Sequence, residues 1–185
     1  PLINDETRRL VNSAYLGAKH CWRSMNASAS GELEFSVTWI GFWFNIPGVT
    51  LDPTQVSNEF FDSGVDVVIS GIDTPEALIV AGQRAQSGET VWAVPYDYEG
   101  ACEQAPNVCL GVPYFNWGPT YLDLVQSVGS DTYKAEWVWL GPNWGDINHK
   151  AISTIGFKMG DGLTEGQQSQ MQSFINALGN KGIDL

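Results

Sequence analysis

Gly64-Val65-Asp66-Val67-Val68-Ile69-Ser70-Gly71-Ile72-Asp73-Thr74-Pro75-Glu76 reads as a short β-branched run, a small polar turn and a helix opening, with Thr74 as N-cap and Pro75 at the first helical position. A second run, Thr90-Val91-Trp92-Ala93-Val94-Pro95-Tyr96-Asp97, follows that helix and ends on another acid. Together they predict a βαβ unit. Parallel strands must be joined by a crossover, and the crossover helix covers a sheet face, so both strands are nearly all apolar and neither alternates. In open parallel sheets ligands sit beyond the carboxyl ends of the strands. Asp73, Thr74 and Asp97 therefore fall on one rim, which is the candidate site.

Outward from this unit the chain alternates helix and strand. Asn4 and Asp5 can cap a helix with Leu10, Val11, Ala14, Ala18 and Cys21 on one face, ending near Trp22. A polar connection from Asn26 to Gly31 contains the formal glycosylation sequon Asn26-Ala27-Ser28. Leu33 to Ile40 reads as a strand that breaks at Gly41 into Phe42-Trp43-Phe44. Strand neighbours face opposite sides, so at least one of these aromatics faces out or lines a cleft. Asp52-Pro53 opens a helix with Val56, Phe60 and Phe61 inside, and Gly64 stops it.

Beyond Asp97, Val108 to Val112 is a fourth strand, and Tyr121, Leu122, Leu124, Val125 and Val128 give the following helix its stripe. Ala135 to Leu140 reads as a strand with Trp137 and Trp139 on one face, then Gly141 to Asp146 is turn-rich and Ala151 to Phe157 is a short apolar run. Thr164-Glu165-Gly166-Gln167 has the form of a capping box, and Met171, Phe174, Ile175 and Leu178 supply the last buried stripe. The alternation predicts an α/β fold.

The totals narrow the functional classes. A chain of 185 residues with 43% hydrophobic and 16% charged residues is an ordered globular chain, ample for one domain and marginal for two. The net charge of -12 argues against nucleic acid or an anionic membrane surface as partner. Eight Trp, six Tyr and eight Phe suit either an aromatic core or rings exposed to stack on flat ligands. Cys102 and Cys109 bracket a polar, Pro-containing loop, and closing it with a disulfide would add roughly 2.5 kcal/mol on the chain-entropy model. That pairing implies an oxidising compartment. Two Cys without nearby His predict no metal site. Pro1 is preceded by no charged or apolar leader, which fits a removed signal or an internal start.

Catalytic signatures are sparse. His20 beside Cys21 forms no dyad, because neighbours on a helix diverge, and His149 sits in a polar turn near Asp146. No nucleophile elbow, zinc-protease motif, P-loop or dinucleotide fingerprint is present. Asp73 and Asp97 could act as a glycosidase pair, since Trp-lined sugar clefts are common. The plainer role for rim carboxylates is to hold a ligand by hydrogen bonds, and no enzyme activity is expected.

Trp39-Ile40-Gly41-Phe42-Trp43-Phe44-Asn45, Gly64-Val65-Asp66-Val67-Val68, Asp73-Thr74-Pro75, Tyr96-Asp97 and Asn116-Trp117-Gly118-Pro119-Thr120-Tyr121 resemble, in order and spacing, the successive motifs of the basic membrane protein (BMP) family of ABC-transporter substrate-binding lipoproteins. The resemblance covers about residues 1 to 130. It implies a type I periplasmic-binding fold, a Rossmann-like parallel sheet between helix layers in each of two lobes that close on a nucleoside or nucleobase. The protein would be extracytoplasmic, lipid-anchored at full length, and would deliver its ligand to an ABC permease complex without cofactor.

Carried over position by position, Trp43, with Phe44 beside it, falls where the family places an aromatic that stacks on the purine, and Asp97 at the acid that hydrogen-bonds the ligand. Asp73 and Thr74 lie in the turn that approaches the ligand. Phe115 stands where nucleoside binders carry Lys, followed by Asn116 and Trp117; without that lysine the resemblance favours a free base such as adenine or another flat ligand. Family members are longer, so residues 1–185 are expected to be mainly the C-terminal lobe, with the N-terminal lobe largely absent. A carbohydrate-binding or carbohydrate-active protein and a ligand-sensing regulatory domain are the alternatives.

Overall fold

Asn4 starts the first helix by exchanging bonds with Thr7: the Thr7 amide donates to Asn4 Oδ1 at 2.9 Å and the Asn4 amide to Thr7 Oγ1 at 3.1 Å. In this computed structural model, which describes residues 1–25 and 31–183, that helix (α1) runs Asp5–Met25, past the expected end at Trp22. The sequon at Asn26 lies outside the described residues. Asp52 caps α2 (Pro53–Asp62) through the Thr54 and Gln55 amides, and Gly64, at φ 89°, turns the chain out of it. The strand β1 (Val67–Ile69), helix α3 (Glu76–Gln86) and strand β2 (Trp92–Val94) complete the predicted βαβ unit. Its strands are parallel, with Val67 opposite Trp92, Val68 opposite Ala93 and Ile69 opposite Val94.

The parallel order continues through single bridges from Ala93 to Cys109 and from Asp97 to Tyr114 into β3 (Gly111–Phe115). The fourth strand thus starts three residues later than the expected Val108, which lies in a 3-10 turn, Pro106–Val108. Past α4 (Gly118–Gly129), β4 (Ile155–Met159) returns antiparallel to β3, and α5 (Glu165–Gly179) follows with the expected capping box of Thr164 and Gln167. The core lies between α2, α3 and the sheet, where Leu78, Ala81, Ala93, Cys109 and Val112 are wholly buried. Arg84 rivets α2 to α3: its guanidinium donates to Asn58 and pairs with Asp62 and Glu89.

Three expectations are corrected. Thr74 does not cap α3. The helix begins at Glu76 after Pro75, whose backbone makes the cap without a side-chain bond, and the preceding turn is set by the Asp73 amide donating to the Trp43 carbonyl at 2.8 Å. Leu33–Ile40 and Ala135–Leu140 form no ladder among the described residues, because a strand exists only where a neighbour takes its backbone bonds. The predicted stripe of α4 buries nothing, with Leu122, Val125 and Val128 all exposed, and Trp137 and Trp139 are 87% and 75% exposed. Among the described residues no helix is long and apolar enough to cross a membrane.

Cys102 and Cys109 are bonded to each other, as expected, and Cys21 is exposed and outside the bond. The bridged segment packs on α3 so closely that a Cβ on Gly82 would stand 2.8 Å from that of Ala105. Reduction is expected to lower stability by about 2.5 kcal/mol, since a loop of sequence separation 7 regains its freedom in the unfolded chain. Urea unfolding with and without dithiothreitol measures this; coincident midpoints would refute it.

Candidate functional site

The predicted site residues follow Leu33–Ile40, β1, β2 and β3 in chain order, and backbone bonds from Asp73 to Trp43 and from Asp97 to Pro113 join them in pairs. The first loop holds the aromatic triplet. Gly41 adopts φ 102°, and Phe42 packs edge-on against Trp43 and Phe44 at 5.2 and 4.9 Å between ring centroids. Trp43 is half-buried and Phe44 is 44% exposed, so the alternation argument places one ring outward. The Asp73–Trp43 backbone bond ties this loop to the second.

In the second loop Asp73 is exposed, while Thr74 Oγ1 and, two residues on, Glu76 Oε2 are buried without a hydrogen-bond partner among the described residues. Desolvation raises the Asp73 pKa, and the nearby charges of Asp97 and then Glu6 raise it further. Such a carboxyl is more basic folded than unfolded. Its penalty is absent below the unfolded carboxyl value, near 4, grows as pH rises through the folded value and is full at neutrality. Asp73→Asn is therefore expected to raise Tm at pH 7 and to leave it unchanged near pH 3. A pH series of thermal melts tests this, and a neutral-pH loss of stability would overturn it.

The third loop carries Tyr96 and Asp97. Burial, with Glu6, Asp97 and Asp73 nearby, pushes the Tyr96 hydroxyl up to about 12, so it stays a proton donor throughout the physiological range. Asp97 sits at φ 74°, a left-handed conformation that only Gly, Asn and Asp adopt readily. Both its backbone groups hold it there: its amide donates to the Pro113 carbonyl at 3.1 Å and its carbonyl accepts from the Phe115 amide at 3.2 Å. The strained residue is thus clamped to β3 with its carboxylate on the rim.

The end of β3 and the loop after it pack against the third loop. Phe115 meets Tyr96 edge-on at 6.0 Å and tilts over Trp117 at 5.4 Å, and Trp117 stacks on Tyr121 at 6.1 Å and 17°. Between Asp97, Phe115, Asn116 and Trp117 lies an open cleft of about 260 Å³, completed by Tyr98, Glu99 and Lys150 over the buried Tyr114. Ligand sites usually enclose about 300–1,000 Å³. The cleft falls just below that range.

The structure therefore brings Asp97, Phe115, Asn116 and Trp117 into one cleft, and sets Asp73 within electrostatic range of Asp97. Trp43, Phe44 and Thr74 lie on the same rim but do not line the cleft. Asn116 has a further use: its Nδ2 donates to the carbonyls of Lys150 and Ser153, each at 2.8 Å. Tyr98, Glu99 and Lys150 escaped the sequence reading. Tyr98 and Glu99 directly follow Asp97 and could have been found by extending the rim loop, whereas nothing local marks Lys150, which is 53 residues from Asp97.

No protein-family model matches the chain. It is 28% identical over 131 residues to a purine-binding protein of Brucella abortus, covering 71% of this chain and 32% of that protein. It is also 28% identical over 140 residues to a Haloferax volcanii protein provisionally named an ABC transporter glucose-binding protein, covering 76% and 31%. The chain thus spans about a third of the length of the curated relatives it matches. Both names describe binding and neither a reaction. Among solved structures, an ABC transporter solute-binding protein of Conexibacter woesei superposes with a TM-score of 0.54 at 17% identity, over 91% of this chain and 50% of that one. A transcriptional activator of the comK gene from Bacillus halodurans gives 0.54 at 12%, over 78% and 46%. At these identities the likeness establishes the fold alone: an α/β arrangement of the periplasmic-binding kind.

Proposed function

We propose that this chain forms the binding wall of one lobe, mainly the C-terminal one, of an extracytoplasmic solute-binding protein of the BMP kind. A lobe contributed from outside residues 1–185 closes over the rim, and the ligand passes to an ABC permease. The protein works by binding and release, with no chemistry of its own. The ligand is a purine base or a related flat, uncharged molecule.

The observation that carries this reading is the rim itself. Four consecutive loops present, in order, an aromatic group around Trp43, the acid Asp73, the acid Asp97 and the Phe115–Trp117 pair. Rings offer the π face that any base can stack on, and carboxylates accept from ring and amino N–H groups. The purine-binding name of the Brucella relative agrees with that chemistry. A sugar is the second reading, favoured by the glucose-binding name of the Haloferax relative and by the same acids, which accept equally well from hydroxyls.

Thermal-shift and calorimetric titration of the full-length mature protein against adenine, hypoxanthine, adenosine and glucose separates the two. A ligand at a thousand times its Kd adds about 4 kcal/mol to stability, well above detection. Stabilisation by a purine, reduced in Trp43→Ala in step with a tenfold weaker Kd, supports the purine reading. Stabilisation by glucose alone replaces it with the sugar reading, and stabilisation by neither overturns both.

A further inference from the structure

Lys150 reaches the cleft on a strap that is fastened for its whole length. The strap, residues 141–154, is closed at its base by Thr154 Oγ1 donating to the Gly141 carbonyl at 2.8 Å. Inside it Ser153, 1% exposed, accepts from the Asn143 amide and donates to the Ile155 carbonyl, at 2.9 and 2.7 Å. Asn148 imitates a strand pair against β4: its Oδ1 accepts from the Phe157 amide and its Nδ2 donates to the Phe157 carbonyl, both at 3.0 Å. The Tyr114 hydroxyl bonds the same Asn148, and Asn116 spends both Nδ2 protons on the strap carbonyls of Lys150 and Ser153. The side chains of Thr154, Ser153, Asn148, Tyr114 and Asn116 thus fix the backbone from which one ammonium group enters the cleft.

Among the described residues, Lys150 is the one cation lining a cleft that also holds the carboxylates of Asp97 and Glu99. Its Nζ pairs with Glu99 and lies 5.0 Å from the centre of the Tyr114 ring. An ammonium has three protons, so with Glu99 and the Tyr114 side chain as its neighbours it keeps a donor for a further acceptor. An exposed pair of this kind is worth little as a stability device. The eight hydrogen bonds that fasten its strap call for another role.

We propose that Lys150 is a specificity-determining ligand contact, and that Glu99 competes with the ligand for it. The cleft then selects an uncharged molecule that presents a donor to Asp97 and an acceptor, a carbonyl, a bare ring nitrogen or a hydroxyl oxygen, to Lys150. Ligands bearing a phosphate are disfavoured, since Asp97 and Glu99 outnumber the single ammonium. The inference rests on the ligand-binding reading above and adds to it the residue and the polarity of the contact.

The two residues of the pair give opposite expected effects. Lys150→Met keeps the aliphatic stem and removes the donor, and should weaken binding about tenfold. Glu99→Gln keeps the shape and removes the competing charge, and should strengthen binding several-fold. If the pair were only structural, both variants would break it and both would shift binding in the same direction. The experiment is calorimetric titration of wild type, K150M and E99Q full-length protein with adenine, hypoxanthine, adenosine monophosphate and glucose, with thermal melts to establish that each variant is folded. Opposed shifts, with no heat from the monophosphate, support the proposal on whichever of adenine, hypoxanthine or glucose binds. Parallel shifts, unchanged affinities or tight monophosphate binding overturn it. Binding by glucose but no purine fails the purine reading while still measuring Lys150, and binding by none of the four overturns both.

Discussion

Asp97→Ala is expected to weaken ligand binding by about a hundredfold, close to 3 kcal/mol, in calorimetric titration of the full-length protein. Two effects combine. In the proposed function the carboxylate accepts from the ligand, and hydrogen bonds to charged groups are worth about 1.5–3 kcal/mol. The residue also sits at φ 74°, where alanine costs roughly 1–2 kcal/mol that aspartate partly escapes. Two further variants separate these effects, because asparagine and glycine both tolerate the left-handed conformation. Asp97→Asn should keep the melting temperature and lose most of the affinity, while Asp97→Gly should keep the backbone and lose all of the acceptor. If Asp97→Asn binds as well as wild type, the charge is not the recognition element and the rim serves only to stack. Trp43→Ala, which removes one π face, is expected to cost about tenfold.

Gly160→Ala should be the most damaging single methyl in the protein. A Cβ at this position would stand 2.1 Å from the Cys109 carbonyl oxygen and 3.0 Å from the Gly111 nitrogen. Both neighbours are backbone, so no side chain can swing away. Gly160 donates its amide to the Leu110 carbonyl and Gly162 donates to Cys109, which seats the exit of β4 on the start of β3. Forcing them apart also strains the Ala93–Cys109 bridge that joins the two halves of the sheet. Overpacking of this kind costs about 3 kcal/mol, a large part of the roughly 5–15 kcal/mol that holds a domain together. Denaturant unfolding measures it. Gly166→Ala, with nothing near its Cβ, is the control and should be neutral or mildly stabilising; equal losses for both would mean that contact with Cys109 does not set the effect.

Both predictions bear on how the site is made. The Asp97 clamp works because β3 runs parallel to β2 and offers the Pro113 carbonyl and Phe115 amide at the right height. A shift of β3 caused by Gly160→Ala would therefore reach the cleft through Asp97 and Phe115, and affinity should fall together with stability.

The sequence made the βαβ unit legible because its signals are local. Apolar runs without alternation, a helix between them and acids at both strand ends need no distant partner to be read, and β1, α3 and β2 stand where they were expected. The Asp52 cap, the Thr164–Gln167 box and the Cys102–Cys109 pairing were likewise carried by neighbours within a few residues. Where the reading failed, the deciding partner was remote. Thr74 has every local mark of a cap, yet the turn before α3 is fixed by Trp43, far back in the chain. The β-branched and aromatic stretches at Leu33–Ile40 and Ala135–Leu140 have strand composition but gain no ladder among the described residues, since a strand's bonds come from another segment.

For the site the division is the same. By itself the sequence determined that two acids and a set of aromatics end successive strands, because strand period and chain order alone send those ends to one rim. Only the tertiary structure decided that Asp97 is held left-handed by β3, that Asn116 spends its donors on the strap, and that Lys150 joins Glu99 beside it. Those facts depend on which backbone groups are left to be satisfied once the strands are aligned, and that is settled by packing between segments far apart in the chain.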